Sequence, residues 1–333
     1  MKHVLIIGGA GYVGTILSSY LLKNGYKVTV LDSCLYQNQF AIQSYLGDPD
    51  YTFILGDLGN AADLKKASNN ITDVVVLGGL VGDPITKTYP DSSKTINEIG
   101  VHTCIDFFKS HSIDKLIFVS TCSNYGLIKE NQIADEEFEL NPLSLYAKAK
   151  VGAEKFLLSH KNNVDYTGVI LRFATAFGLS PRMRFDLSVS EFTRDLYFGE
   201  ELVVFDEHTW RPYCHVRDFA RLIELVIKAE KEKVNFEIFN AGGDVNNFTK
   251  KMIVDEILKH VPEGKVKYGV KGSDPRNYKV SFNKVKNVLG FEPLFTVSDG
   301  IKELVEAFKI GMYSDAPADK NKYGNYVINY NKD

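Results

Sequence analysis

Seven residues near the amino terminus constrain this chain most: Gly8-Gly9-Ala10-Gly11-Tyr12-Val13-Gly14, lodged between the apolar run Val4-Leu5-Ile6-Ile7 and a stretch of helical spacing that begins at Thr15. A short apolar run before the glycines predicts a buried strand, so the unit reads strand, turn, helix. Gly8, Gly11 and Gly14 spell G-x-x-G-x-x-G. In that setting the first glycine allows the tight turn, the second lets a pyrophosphate approach the backbone, and the third lets helix and strand pack closely. The free N–H groups of the first helical turn then face the anion, and Tyr12 and Val13 are counted among its contacts. An acid is due about 20 residues further on. Asp32 supplies it, at the end of the apolar run Val28-Thr29-Val30-Leu31. A carboxylate there accepts hydrogen bonds from both ribose hydroxyls and repels a 2′-phosphate, and Ser33-Cys34-Leu35 offers no arginine to hold one. The expected dinucleotide is NAD rather than NADP.

Further apolar runs follow at Tyr51-Thr52-Phe53-Ile54-Leu55, Asp73-Val74-Val75-Val76-Leu77, Lys115-Leu116-Ile117-Phe118-Val119 and Val169-Ile170-Leu171. Continuous rather than alternating apolarity means strands buried on both faces. Helical spacing intervenes at about 94–111 (Ile96, Ile99, Cys104, Ile105, Phe108) and from near Tyr146, where Ser144 is placed to cap. This rhythm predicts an α/β fold with a doubly wound, mostly parallel Rossmann sheet. Past Arg172 the character changes. Arg211-Pro212-Tyr213-Cys214-His215-Val216 and Phe236-Glu237-Ile238-Phe239-Asn240 read as returns to the sheet. The expected domains are therefore 1–175 with 210–243 for the dinucleotide, and 176–209 with 244–312 as a smaller α/β substrate domain. The second domain's expected features are a helix holding Val189, Phe192 and Leu196, a helix after Thr249, a strand near Val266, a turn at Asp274-Pro275-Arg276 and a helix over 299–310. Residues 313–333, rich in Asn, Lys and Tyr, read as a tail without a core face.

Charge and cysteines exclude other classes. With 39 basic against 42 acidic residues and a net charge of −3, nothing calls for nucleic acid or an anionic membrane as partner. Cysteines 34, 104, 122 and 214 are dispersed, which suggests neither a zinc site nor a disulfide framework. No metal is expected, and no apolar run approaches the ~18 residues of a membrane span. With no signal-peptide pattern before the first strand, a reducing, cytoplasmic setting is expected. The acidic run Asp135-Glu136-Glu137-Phe138-Glu139 reads as a solvated loop, and His215 as a packed structural residue.

Tyr146 and Lys150 stand four apart, hence on one helix face a turn apart. A free phenol titrates near ~10, and bringing it to about 7 takes roughly 4 kcal/mol of differential stabilisation. A nearby ammonium and an oxidised nicotinamide could supply that in a partly dry cleft. Ser120 and Thr121 lie at the carboxyl end of a strand, where ligands bind in such sheets.

Taken together, Gly8, Gly11, Gly14, Thr121, Tyr146 and Lys150 resemble the motif set of extended short-chain dehydrogenases/reductases, in the nucleotide-sugar epimerase and dehydratase branch. The resemblance spans about residues 1–311. It implies that Tyr146 takes a proton from a sugar hydroxyl while hydride passes to NAD, that Thr121 orients that hydroxyl, and that Lys150 also holds the nicotinamide ribose. Asp57 and Leu58 match the pair that meets adenine, and Gly78 the next strand end. Arg211 in R-P-Y-C-H-V-R-D and Arg276 in D-P-R match arginines that grip a nucleotide diphosphate, for which guanidinium forks are suited. Arg182 and Arg184 are further candidates for that task. Thr175 replaces an asparagine that many members place near the sugar. Dehydratases of the branch follow the threonine with Asp-Glu; here the aligned residues are Cys122 and Ser123, so water elimination is not expected. The implied activity is oxidation at carbon 4, by an epimerase or dehydrogenase of surface-polysaccharide sugars. Residues 77–84 and 180–184 resemble a subgroup that includes nucleotide-heptose 4-dehydrogenases. The resemblance also implies a homodimer through the 94–111 and Tyr146 helices. A hydrophobic-ketone reductase is disfavoured by Arg211 and Arg276, and a non-catalytic NAD sensor by the presence of both Tyr146 and Lys150.

Asp32→Ala is expected to weaken NAD and relax discrimination against NADP, as measured by titrating both cofactors; a wild-type protein that prefers NADP would contradict the reading of this strand end.

Overall fold

The computed structural model describes residues 1–129, 131–270 and 276–330. Its strands are β1 (His3–Ile7), β2 (Lys27–Asp32), β3 (Tyr51–Leu55), β4 (Asp73–Val76), β5 (Lys115–Thr121), β6 (Thr167–Phe173), β7 (Thr175–Phe177), β8 (Leu202–Phe205), β9 (Trp210–His215), β10 (Glu237–Ala241), β11 (Asn247–Thr249) and β12 (Val266–Gly269). The helices are α1 (Tyr12–Lys23), α2 (Ala61–Ala67), α3 (Asp83–Thr88), α4 (Pro90–Ser93), α5 (Val101–Phe107), α6 (Leu145–Leu158), α7 (Ser188–Tyr197), α8 (Val216–Lys228), α9 (Lys231–Val234), α10 (Lys250–Leu258), α11 (Asn283–Leu289) and α12 (Val297–Lys309).

Seven strands form one parallel sheet in the order β10-β6-β5-β4-β1-β2-β3. The apolar runs explain it. Along β1, Val4 and Ile6 join one core while Leu5 and Ile7 join another, so successive side chains feed opposite faces and both must be covered. Burying each such side chain contributes about 1.5–3 kcal/mol. The first core packs α1 and α8 on the sheet, and the second packs α2, α5 and α6. Strand order reverses between β1 and β4, which opens a crevice at their carboxyl ends.

Ser144 caps α6 by accepting from Ala147 N at 3.1 Å, and Thr249 caps α10 by accepting from Met252 N at 3.2 Å. The helical stretch expected over 94–111 starts earlier, at Pro90, and includes a π-helical segment, Lys94–Gly100. That segment has a use. Asn97 exchanges hydrogen bonds with the Leu80 backbone, from Leu80 N at 2.7 Å and to Leu80 O at 2.9 Å, and so pins the loop after β4.

Three expectations need correction. Residues 211–216 do not return to the large sheet: β9 pairs with β7 and β11 in a three-stranded sheet, and only β10 rejoins the large one. A short strand's apolarity says nothing about its partner. Residues 313–330 are not devoid of core contacts: Ala316, Tyr323 and Ile328 are buried. The acidic loop is not wholly solvated either, because Glu136 accepts from Asn240 N at 2.7 Å. The turn at Asp274-Pro275 lies outside the described residues.

Beneath the carboxyl ends of β5 and β6 is a polar network that the motifs did not announce. Glu154 on α6 pairs with Arg172 on β6 at 2.8 Å, and both side chains are buried. Ser120 Oγ and Asn124 Nδ2 also donate to Glu154, the latter at 2.8 Å, and Arg172 donates to Tyr125 Oη at 3.0 Å. Removing one partner strands the other charge in a dry interior. Glu154→Ala is therefore expected to cost about 3–5 kcal/mol of unfolding free energy, read as a lower urea midpoint at unchanged slope; the same change at exposed Glu137 should cost under about 0.5 kcal/mol.

Candidate active site

The strand ends open into one cavity of about 550 Å³. Every residue singled out from the sequence as a cofactor, catalytic or substrate contact lines it, from Gly8 to Arg276. Gly8 sits at φ +85°, and a Cβ there would stand 2.6 Å from Gly78 Cα; a Cβ on Gly14 would stand 2.6 Å from Gly8 O and Gly9 Cα. Side chains at either position would push β1, α1 and the end of β4 apart.

Asp32 accepts from Ala10 N at 2.9 Å and Cys34 N at 2.8 Å. Burial pushes its carboxyl up while these bonds pull it down. A carboxylate has about four acceptor sites, so capacity remains for a ribose. Two buried atoms in the same wall, Tyr36 Oη and Asn38 Oδ1, have no hydrogen-bond partner in the structure. Orphaned polar atoms beside an acid and a glycine turn are what a dinucleotide's ribose and phosphates would satisfy, so the residues present fit NAD. Asp57 and Leu58 line the far end.

At the other end, Thr121 closes β5 and α6 presents Tyr146 and Lys150. Lys150 Nζ donates to Val119 O at 2.7 Å and lies 5.9 Å from the Tyr146 ring centroid. The expected depression of the Tyr146 phenol is not a property of the protein alone. Burial, and after it the Asp83 carboxylate, push its pKa up, against Arg184 and Thr121. Burial likewise draws Lys150 down to about 8, opposed by Glu154. The phenol is thus a neutral donor until further positive charge arrives.

The arginines divide. Arg211 is held by Trp210 O at 2.8 Å, with its guanidinium 4.9 Å from the Tyr278 ring centroid. Arg276 pairs with Asp83 at 2.7 Å and donates to Ser123 Oγ at 3.4 Å. Both face the cavity, as does Thr175. Arg182 and Arg184 line the cavity and already have partners within the fold. Arg182 is 2% exposed and donates to Met183 O, Gly324 O and Asn325 Oδ1 at 2.7, 2.9 and 3.2 Å. Burial, and the neighbouring Arg184, bring its pKa down to about 10. Arg184 donates to both Asp186 oxygens at 2.9 and 2.6 Å. Tyr12 also turns inward, donating to Gly178 O at 2.5 Å. His215 accepts from Arg217 N at 3.1 Å through Nδ1 and contacts Glu303 at 3.0 Å through Nε2, a structural cap for α8. Among the described residues no cluster of His, Cys, Asp or Glu could hold a metal.

Cavity residues the motifs missed include Tyr36, Asn38, Asp83, Glu191, Tyr213, Tyr278, Asn325, Tyr326 and Tyr330. The D-P after the Gly78-Gly79 stretch was visible, but nothing local tied Asp83 to Arg276.

A parallel sheet with its switch-point crevice, a glycine turn, an acid and a Tyr-Lys helix define a dinucleotide-dependent oxidoreductase of the short-chain dehydrogenase/reductase fold. The NAD dependent epimerase/dehydratase family model matches residues 4–242, and the chain belongs to that family. UDP-glucose 4-epimerase of Corynebacterium glutamicum is 25% identical over 96% of this chain and 99% of its own length. UDP-glucuronic acid 4-epimerase of Bacillus cereus, solved with UDP-glucuronic acid and NAD, superposes with TM-score 0.82 at 25% identity, covering 93% of this chain and 99% of that one. The dTDP-glucose 4,6-dehydratase of Bacillus anthracis, solved with NAD, shares the fold at TM-score 0.81 and 24% identity, over 97% of this chain and 100% of that one. The protein is an NAD-dependent enzyme of this family.

Lys150 carries a pH signature. Its ordinary value is 10.5 and its folded value about 8, so between these limits the unfolded chain holds more protons. Stability from this group therefore rises with pH across that window, its burial cost being fully present below pH 8. Relative to Lys150→Met, the cofactor-free wild type should gain about 2–3 kcal/mol between pH 8 and 10.5, measured by urea unfolding at each pH; a constant difference would refute it.

Proposed function

We propose that this enzyme oxidises carbon 4 of a nucleotide-diphosphate sugar without eliminating water. The observation that carries this reading is the convergence of Thr121, Tyr146 and Lys150 with Arg211 and Arg276 on one cavity. NAD, when bound, supplies the hydride acceptor at its nicotinamide. The Tyr146 oxygen, as phenolate once the cofactor's positive charge is in place, takes the proton of the 4-hydroxyl and becomes the phenol, and the Thr121 hydroxyl orients that group. The Lys150 ammonium offsets the burial that otherwise holds the phenol neutral. Arg211, braced on Tyr278, and Arg276 grip the diphosphate, the latter by exchanging Asp83 for phosphate oxygens. Thr175 faces the sugar.

Absence of dehydration rests on two residues. Cys122 is buried, its thiol donates to Arg172 O at 3.1 Å, and burial pushes its pKa up, so no thiolate is at hand. Ser123 Oγ is 3.1 Å from Tyr278 Oη and accepts from Arg276, and a hydroxyl is a weak base. Two outcomes remain for the keto sugar. The 4-epimerase relatives support return of the hydride to the opposite face. The likeness of residues 77–84 and 180–184 to nucleotide-heptose 4-dehydrogenases supports release of the keto sugar instead. The helices over 90–110 and α6, with Ile99 and Leu145 about half exposed, suit a homodimer contact. Four free, buried cysteines suit a cytoplasmic setting.

The test is product mass after incubation with NAD and a panel of UDP-, dTDP-, GDP- and CDP-sugars. Unchanged mass with an inverted carbon 4 indicates an epimerase; loss of two hydrogens with NADH absorbance indicates a dehydrogenase; loss of water overturns the argument from Cys122 and Ser123. Tyr146→Phe should retain NAD and lose turnover by about 10²–10⁴-fold.

A further inference from the structure

The final described stretch, 313–330, lies beyond both the family match and the last helix, yet it is built into the cofactor site. Ala316 and Tyr323 pack with Phe185 and Phe308, and Phe185 N donates to Tyr323 O at 2.6 Å. From there the chain meets three loops at the carboxyl edge of the sheet. Arg182 clamps Gly324 and Asn325 and stacks its guanidinium 5.4 Å from the Tyr36 ring centroid, in the loop that follows Asp32. Asn325 Nδ2 donates to Val81 O at 3.1 Å, in the loop after β4, where Ile328 is buried with Leu80 and Ile85. Tyr330 Oη donates to Asp57 Oδ2 at 2.7 Å, in the loop after β3.

These loops carry the ribose acid and the pair matched to adenine, so one segment ties together the walls of the adenosine half of the groove. Gly8, Asp32 and Asp57 line the same cavity as Asn325, Tyr326 and Tyr330. The segment thus forms part of the cavity wall and leaves a cavity of about 550 Å³. Asp57 also accepts from Gly59 N at 2.6 Å through Oδ1, and with about four acceptor sites on a carboxylate, Tyr330 leaves room for another donor.

We propose that residues 321–330 are part of the dinucleotide site, a strap over its adenosine half that retains bound NAD, with Tyr330 and Ile328 as its distal anchors. A preformed roof adds contact area without ordering cost at binding, and its main effect is on the rate of release. The strap bears on NAD alone, so it stands or falls independently of the sugar.

Three variants test it: a chain ending at Asn325, which keeps the Arg182 clamp, and full-length Ile328→Asp and Tyr330→Phe. The readouts are NAD retained through gel filtration, the release rate from displacement by fluorescent NADH, and the melting temperature without cofactor. The expected result is NAD release faster by about tenfold or more in the shortened chain and in Ile328→Asp, and by about threefold to tenfold in Tyr330→Phe, with the cofactor-free melting temperature unchanged in Tyr330→Phe. Tyr330→Phe keeps the ring, so it decides the matter should the other two fail to fold. Unchanged release in the folded variants overturns the proposal. So does tighter NAD binding, which would make the segment a plug, or a loss confined to nucleotide-sugar affinity.

Discussion

The buried ion pair between Glu154 and Arg172 is the joint on which the reactive end of this enzyme rests. Taking both charges out of water is costly, and the structure offsets that cost with the 2.8 Å contact and with donors from Ser120 and Asn124. Tyr146, Lys150 and Glu154 follow one another at intervals of four on α6, so they share a face of that helix. Anchoring Glu154 to β6, and to Ser120 on β5, sets the height and rotation of α6 over the sheet. Tyr146 and Lys150 are thereby brought beside Thr121, the residue next to Ser120.

Strand order supplies the second constraint. The reversal between β1 and β4 leaves a crevice that the glycine turn, held against Gly78, converts into a groove. Charge is then distributed along it. Asp32 and Asp57 line it, and so do Lys150, Arg211 and Arg276. In the proposed function the carboxylates meet a hydroxyl-rich ribose and the guanidinium groups an anionic diphosphate, opposite chemistries within one cavity. Burial raises the Tyr146 phenol and lowers the Lys150 ammonium together, so the protein alone holds the phenol in its neutral form.

How much of this was legible depended on range. The turn from Gly8 to Gly14 and the acid at Asp32 were readable because steric demand and strand length act over about 20 residues. The pairing of Tyr146 with Lys150 was readable because helix periodicity places them together. His215 was read correctly as structural, since it caps its own helix. The π-helical Asn97, the Asp83–Arg276 pair and the tie from Tyr330 to Asp57 join residues 17, 193 and 273 positions apart by their numbering, and no local pattern encodes such meetings. The polar composition of 313–330 suggested a solvated tail because composition does not reveal that Gly324 and Asn325 meet the buried Arg182 guanidinium.

By itself the sequence determined the α/β class, the dinucleotide turn with its acid at Asp32, and the Tyr-Lys helix, since each follows from backbone sterics or periodicity within a short span. Tertiary structure alone decided which sheet received β9, that Arg182 and Arg184 find partners within the fold, and that residues 321–330 meet the loops after β2, β3 and β4. Those outcomes turn on which buried donors and acceptors find each other once the sheet has formed, and that is a competition among distant groups for a limited number of dry partners.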